Sequence, residues 1–101
     1  MDGNAIDMPI QLRKGLYTNL IEGDAEIMKG EEVTINGLVM GDLKIQPSAH
    51  VKISGMVTGN LYLGKKSEVD VDGLINKCIY NNGGDLKIHG GQVKGKIVQH
   101  D

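Results

Sequence analysis

The sequence contains no Phe and no Trp, one Cys and two Pro in 101 residues. Without large aromatics, a core has to be assembled from Val, Ile, Leu and small residues, which suits a thin, repetitive interior better than a compact globule. The scarcity of Pro sets the chain apart from Pro/Gly-rich disordered linkers. A single cysteine, Cys78, excludes an internal disulfide and gives no metal-binding spacing, in keeping with a reducing compartment. A strong excess of either charge is also missing. Thirteen acidic against eleven basic residues give a formal charge of −2 and a pI near 5.9. The longest basic runs are the pairs Arg13-Lys14 and Lys65-Lys66, too short for a nucleic-acid footprint. No stretch approaches the roughly 18 apolar residues that span a bilayer. Met1 to Leu12 is polar and acidic, without the basic start and apolar run of a signal peptide. The expectation is a cytoplasmic protein whose membrane association, if any, is indirect and peripheral at the inner membrane.

What the chain does have is glycine, fifteen residues of it, placed periodically. Val33-Thr34-Ile35-Asn36-Gly37 aligns with Val51-Lys52-Ile53-Ser54-Gly55, Val69-Asp70-Val71-Asp72-Gly73 and Leu86-Lys87-Ile88-His89-Gly90, at spacings of 18, 18 and 17. A second half-repeat follows each: Val39 to Ile45, Val57 to Leu63, Ile75 to Asn81 and Val93 to Gln99, with an earlier copy at Ile21 to Ile27. Between them lie short polar connectors, the last one residue shorter, which accounts for the spacing of 17. An antiparallel barrel of similar hairpins is the competing reading, but hairpins have no reason to recur at a fixed period.

Alternation within each repeat places Val33, Ile35, Gly37, Val39, Gly41, Leu43, Ile45 and their equivalents inward. Gly37, Gly55, Gly73 and Gly90 fall where a strand should turn one corner; Gly23, Gly41, Gly59 and Gly95 mark a second, with Lys77 at the fourth coil's equivalent position. The expected fold is all-β: a single-domain, three-sided parallel β-helix of about five coils of ~18 residues, right-handed rather than left-handed. Residues 1–14 are expected to form an N-terminal tail or cap, with Met8, Pro9, Ile10 and Leu12 as capping candidates, and residues 15–101 the β-helix domain. Outward columns support the stacking: Thr34, Lys52, Asp70 and Lys87 alternate in sign from Lys52 onward, and Glu26, Lys44, Tyr62 and Tyr80 end in an aromatic pair.

Catalytic chemistry is not legible. His50, His89 and His100 lack partner spacing, no phosphate loop precedes a helix, and no cofactor or metal site is expected. Ile21, Ile27, Val33, Val39, Ile45, Val51, Val57, Leu63, Val69 and Ile75 recur every six residues, which resembles hexapeptide-repeat acyltransferases. The small residue those enzymes carry four positions later is here often Leu43, Leu61 or Ile79, and no long loop is available to bind a coenzyme.

The Gly-punctuated lines, such as Val51 to Leu61, resemble the bactofilin family of polymer-forming bacterial cytoskeletal proteins, over roughly Ile21 to Val98. The resemblance implies a right-handed three-sided β-helix that assembles end to end without nucleotide and scaffolds cell-envelope enzymes. Elementary physics also favours assembly, because a solenoid has two open ends that must be capped or joined. Ile97 and Val98 lie at the C-terminal end and are interface candidates. Leu20, Leu38, Met56 and Leu74 form a column at spacing 18 that is either an outward apolar stripe for a partner or, if the Gly37 corner flips the alternation, core. The chain is therefore expected to be a non-enzymatic, self-assembling scaffold. The alternative is a small partner-binding β-helix of the adaptor or immunity-protein kind.

Overall fold

The computed structural model describes residues 10–100. Short strands follow one another around a three-sided path. The first turn comprises β1 (Ile10–Leu12), β2 (Gly15–Tyr17) and β3 (Leu20–Glu22), and the second β4 (Ala25–Ile27), β5 (Glu32–Ile35) and β6 (Leu38–Met40). The third holds β7 (Leu43–Ile45), β8 (His50–Ile53) and β9 (Met56–Val57), and the fourth β10 (Leu61–Leu63), β11 (Glu68–Val71) and β12 (Leu74–Ile75). The path ends with β13 (Ile79–Asn82), β14 (Asp85–Ile88), β15 (Gln92–Val93) and β16 (Ile97–His100).

Every third strand returns to the same sheet, and every pairing is parallel. Sheet A runs β1-β4-β7-β10-β13-β16, sheet B β2-β5-β8-β11-β14 and sheet C β3-β6-β9-β12-β15. The architecture is thus the expected parallel β-solenoid of about five 18-residue coils, the six strands of sheet A stacking over about 24 Å. Residues 1–9 lie outside the described residues, and with them the capping candidates Met8 and Pro9. Ile10 and Leu12 belong to β1, which pairs with β4, so the solenoid begins before the expected boundary at residue 15.

The register explains the core. Val33 pairs with Val51 and Val51 with Val69, while Ile35, Ile53 and Val71 stack beside them. Val39 pairs with Val57, Val57 with Ile75, Leu43 with Leu61 and Leu61 with Ile79. All of these are buried, and Ile35, Ile53, Val71, Val57, Leu61 and Ile79 are fully so. β-Branched residues repeated on one another fill the narrow interior without aromatics, as the composition requires.

Two buried positions break the apolar rule: Ser67, whose hydroxyl donates to the Gly64 carbonyl at 2.7 Å, and Asn81. Asn81 follows Ile27, Ile45 and Leu63 in its column, yet is only 4% exposed. Its side chain is satisfied locally: Nδ2 donates to the Gly84 carbonyl at 3.0 Å, and Oδ1 accepts from the Gly84 N–H at 2.7 Å. These bonds close the connector that is one residue short. The missing residue is restored further on. Val71 pairs with Ile88, at a spacing of 17, but Leu74 pairs with Gln92, at 18, so one residue is inserted between them. Gly90 is that residue, with a left-handed φ of 71° and open space beside it, and Gly91 takes the stacking position above Gly73. The expected equivalence of Gly90 with Gly37, Gly55 and Gly73 is corrected accordingly.

Candidate functional site

Two glycine columns set how closely the coils approach. A Cβ at Gly55 would overlap the Gly37 carbonyl oxygen, and one at Gly73 would overlap that of Gly55. None of Gly37, Gly55 and Gly73 has a positive φ, so close backbone approach, not left-handed geometry, requires them. Gly41, Gly59 and Gly95 likewise leave no room for a Cβ over the preceding coil, whereas Gly23, at the N-terminal end of the column, faces only Ile10. Lys77 keeps the second corner despite its side chain: its carbonyl accepts the Gly95 N–H at 2.9 Å.

Beside that corner runs a side-chain ladder that the sequence reading missed. The Asp42 N–H donates to Asp24 Oδ1 at 2.8 Å, Asn60 N–H to Asp42 Oδ1 at 2.7 Å and Cys78 N–H to Asn60 Oδ1 at 3.0 Å. The Lys96 N–H closes the column on Cys78 Sγ at 3.4 Å. Its signal was the recurrence of Gly-Asp, Gly-Asp and Gly-Asn at 18 residues. Sulfur is a weak acceptor, so Cys78→Asn is expected to stabilise the domain by about 1 kcal/mol, read as a raised thermal midpoint. The Cys78 thiol also acts on the neighbouring sheet A tyrosine. Its charge and its hydrogen bond raise the Tyr80 pKa above the ordinary tyrosine value, with smaller contributions from burial, Tyr62 and Asp42.

The outer faces are ordered in columns. Tyr62 and Tyr80 stack with centroids 5.2 Å apart and planes 14° from parallel. On sheet B the expected Lys52–Asp70–Lys87 alternation is present in register, but the ion pairs run elsewhere: Lys52 meets Asp72 at 3.8 Å and Asp70 meets His89 at 3.9 Å. His50 lies 3.6 Å from Glu68. All of these groups are substantially exposed, and pairs of this kind contribute little stability. Among the described residues no group of three or more His, Cys, Asp or Glu is arranged to hold a metal, and no helix is long and apolar enough to cross a membrane.

Leu20, Leu38, Met56 and Leu74 stack directly on one another in sheet C. The alternation is unbroken through Gly37: Val39, next to Leu38, is fully buried, and the column faces outward. Leu20 is 50% exposed, whereas Leu38, Met56 and Leu74 are half-buried, covered by their neighbours in the column.

The C-terminal end is different. Ile97 and Val98 are adjacent but do not share a face. Val98 continues the outward column above Tyr80, and Ile97 continues the inward column above Ile79. Ile97 is 44% exposed and Ile88 39%, whereas Ile79 and Val71 beneath them are fully buried. Leu86 and Val93 are half-buried at the same level. Sequence reasoning named Ile97 alone of this set; the others are the inward positions of the last repeat, identifiable by the same alternation. β14, β15 and β16 are the last strands of their sheets, and no strand pairs with their outer edges among the described residues. Among the described residues, this end is a cross-section of the core bounded by strand edges without a partner. The chain matches no protein-family model, no curated protein and no solved structure.

Proposed function

We propose that the chain is a non-enzymatic structural module of bactofilin-like type that self-associates through its C-terminal end and scaffolds other proteins. The observation that carries this reading is the uncovered core of the last coil: Ile88 and Ile97 present apolar surface that every inner coil buries. Unpaired parallel edges and an apolar cross-section are what another copy of the same repeat can satisfy, by adding strands to all three sheets at once. Ile88→Lys places a charge in that surface without disturbing an inner coil. It is expected to weaken association by at least about tenfold, measured by sedimentation velocity over a concentration series, with the circular dichroism of the monomer unchanged. Association equal to the wild type would count against the proposal.

The partner-binding alternative would rely on the sheet C stripe. Met56→Glu puts a carboxylate in the middle of that column. Because Met56 is half-buried on the outer face, the fold is expected to survive with a loss of about 1 kcal/mol, seen in urea unfolding, and self-association is expected to persist. Loss of association in Met56→Glu with C-terminal variants unaffected would move the interface from the end to the side.

A further inference from the structure

We propose that a groove on the outer face of sheet A is the seat for a partner protein, which enters it with an extended acidic segment whose carboxylates alternate with aliphatic side chains. The inference rests on the scaffold part of the reading above, to which it adds a place and a chemistry, and not on association between copies.

The register builds the groove. Lys44, Tyr62 and Tyr80 follow one another in the outward column of sheet A, and Gln46, Gly64 and Asn82 stand two residues further along the same three coils. Gly64 is held to the coil before it by its N–H on the Ile45 carbonyl at 2.8 Å. An added Cβ there would stand 2.8 Å from the Pro47 nitrogen and 2.9 Å from the Ile45 carbonyl oxygen, so this position admits no side chain. The outward side chains are therefore interrupted between Gln46 and Asn82, and a groove of about 390 Å³ lies at the interruption. Tyr62 and Tyr80 border it on one side, Pro47 and Lys65 on the other. Ile45 and Leu63 are buried with their side chains turned inward, so their backbone forms the floor. Gln46 and Asn82 are two coils apart, about 10 Å, which is room for one inserted side chain and its neighbours.

Charge fixes the occupant. Among the described residues the charges on the groove are Lys44 and Lys65, with no carboxylate, although the whole chain carries −2. Glu26, which precedes Lys44 in the column, accepts the side-chain amide of Gln46. The tyrosines add to the same sign: stacked on each other, they turn to the groove their ring edges, the positive part of the quadrupole. The groove on sheet B is different, because its Glu68 and Asp70 already meet His50 and His89 and its charges answer one another within the chain. An anion alone leaves the rest of the sheet A groove unused. The Pro47 ring, the tyrosine edges and the lysine stems are apolar surface that takes an aliphatic side chain. Two lysines are also too few to hold an anionic membrane, at about 1 kcal/mol each. The rim of Tyr62, Lys65 and Asn82 is exposed, so a free small molecule would keep much of its surface in water, whereas an extended peptide needs only a few anchoring side chains there.

Tyrosine fluorescence reads the site directly, because the chain has no Trp and two of its three Tyr border the groove. The probe is a short blocked peptide of alternating Glu and Leu, titrated into the full chain beside the same peptide with Gln for Glu. The Glu peptide is expected to bind at least about tenfold more tightly. Lys44→Glu with Lys65→Glu is expected to abolish that preference and to transfer it to a peptide of alternating Lys and Leu, with the circular dichroism unchanged. Lys87→Glu, on sheet B, is expected to leave the preference intact. Should the double variant fail to fold, Lys65→Gln alone is expected to reduce the preference about threefold. An equal response to the Glu and Gln peptides, or a preference lost as fully in Lys87→Glu, overturns the proposal. Binding to phosphatidylserine vesicles without binding to the Glu peptide overturns it in favour of a membrane contact. Sedimentation of the wild type and Ile88→Lys judges association between copies separately, so a failed titration removes this seat and leaves that association standing.

Discussion

Gly55→Ala is expected to cost about 3 kcal/mol or more, the upper end of what overpacking produces, and so to consume a large part of a small domain's stability. The added Cβ would overlap the Gly37 carbonyl oxygen and stand 2.9 Å from both the Gly37 and Asn36 carbonyl carbons. Backbone of the coil below cannot move aside as a flexible side chain can, and that coil is itself held by Val33, Ile35 and Val39 in the core. The effect therefore spreads along the stack. Gly30→Ala is the matched control. Gly30 has a φ of 74° with nothing within 4 Å of an added Cβ, so its substitution is expected to cost only about 1 kcal/mol. Chemical denaturation of the two variants separates close approach from backbone conformation as the reason for glycine in this fold. Equal losses would contradict the stacking account.

The second large effect concerns position along the column, not chemistry. Ile53 and Ile88 occupy the same inward column of sheet B, joined through Val71. Ile53 is fully buried with coils on both sides, and Ile88 is 39% exposed at the end. Ile53→Ala is expected to cost about 3–4 kcal/mol, from lost burial and the cavity left between rigid coils. Ile88→Ala, measured at concentrations where copies are separate, is expected to cost only about 1–2 kcal/mol, because 39% of the residue already faces water and its loss leaves no enclosed cavity. If Ile88→Ala matched Ile53→Ala under those conditions, the end would be covered within the single chain and would offer no surface for assembly.

Most of the fold was legible because the sequence repeats its own solution. Val33, Val51 and Val69 align by spacing alone, and the structure pairs them directly. The inward and outward sets followed from strict alternation, which the corner at Gly37 leaves intact. The errors lie where the repeat changes length. A one-residue deletion near Asn81 and a one-residue insertion at Gly90 nearly cancel, so Gly90 looked like the next stacking glycine while Gly91 is. β1 was unreadable for a related reason. Only two residues, Arg13 and Lys14, connect it to β2, and Ile10 pairs with Ala25 at a spacing of 15 instead of 18. The corner ladder of Asp24, Asp42, Asn60 and Cys78 was visible as a recurrence, but its role depends on backbone N–H groups of the next coil, which spacing does not reveal. Of the candidate site, Ile97 followed from chain position; that Ile88 shares its exposure while Leu86 and Val93 are half-buried depends on the packing of the last described coil.

The central claim is that this solenoid continues from one copy into the next through its C-terminal end. Electron microscopy of the purified full chain at rising concentration tests it most directly. The account predicts unbranched filaments one solenoid wide, with strands repeating at about 4.8 Å along the axis across the junctions, and their loss in Ile88→Lys. Monodisperse single particles of one chain at every concentration, or filaments undiminished in Ile88→Lys, would contradict it.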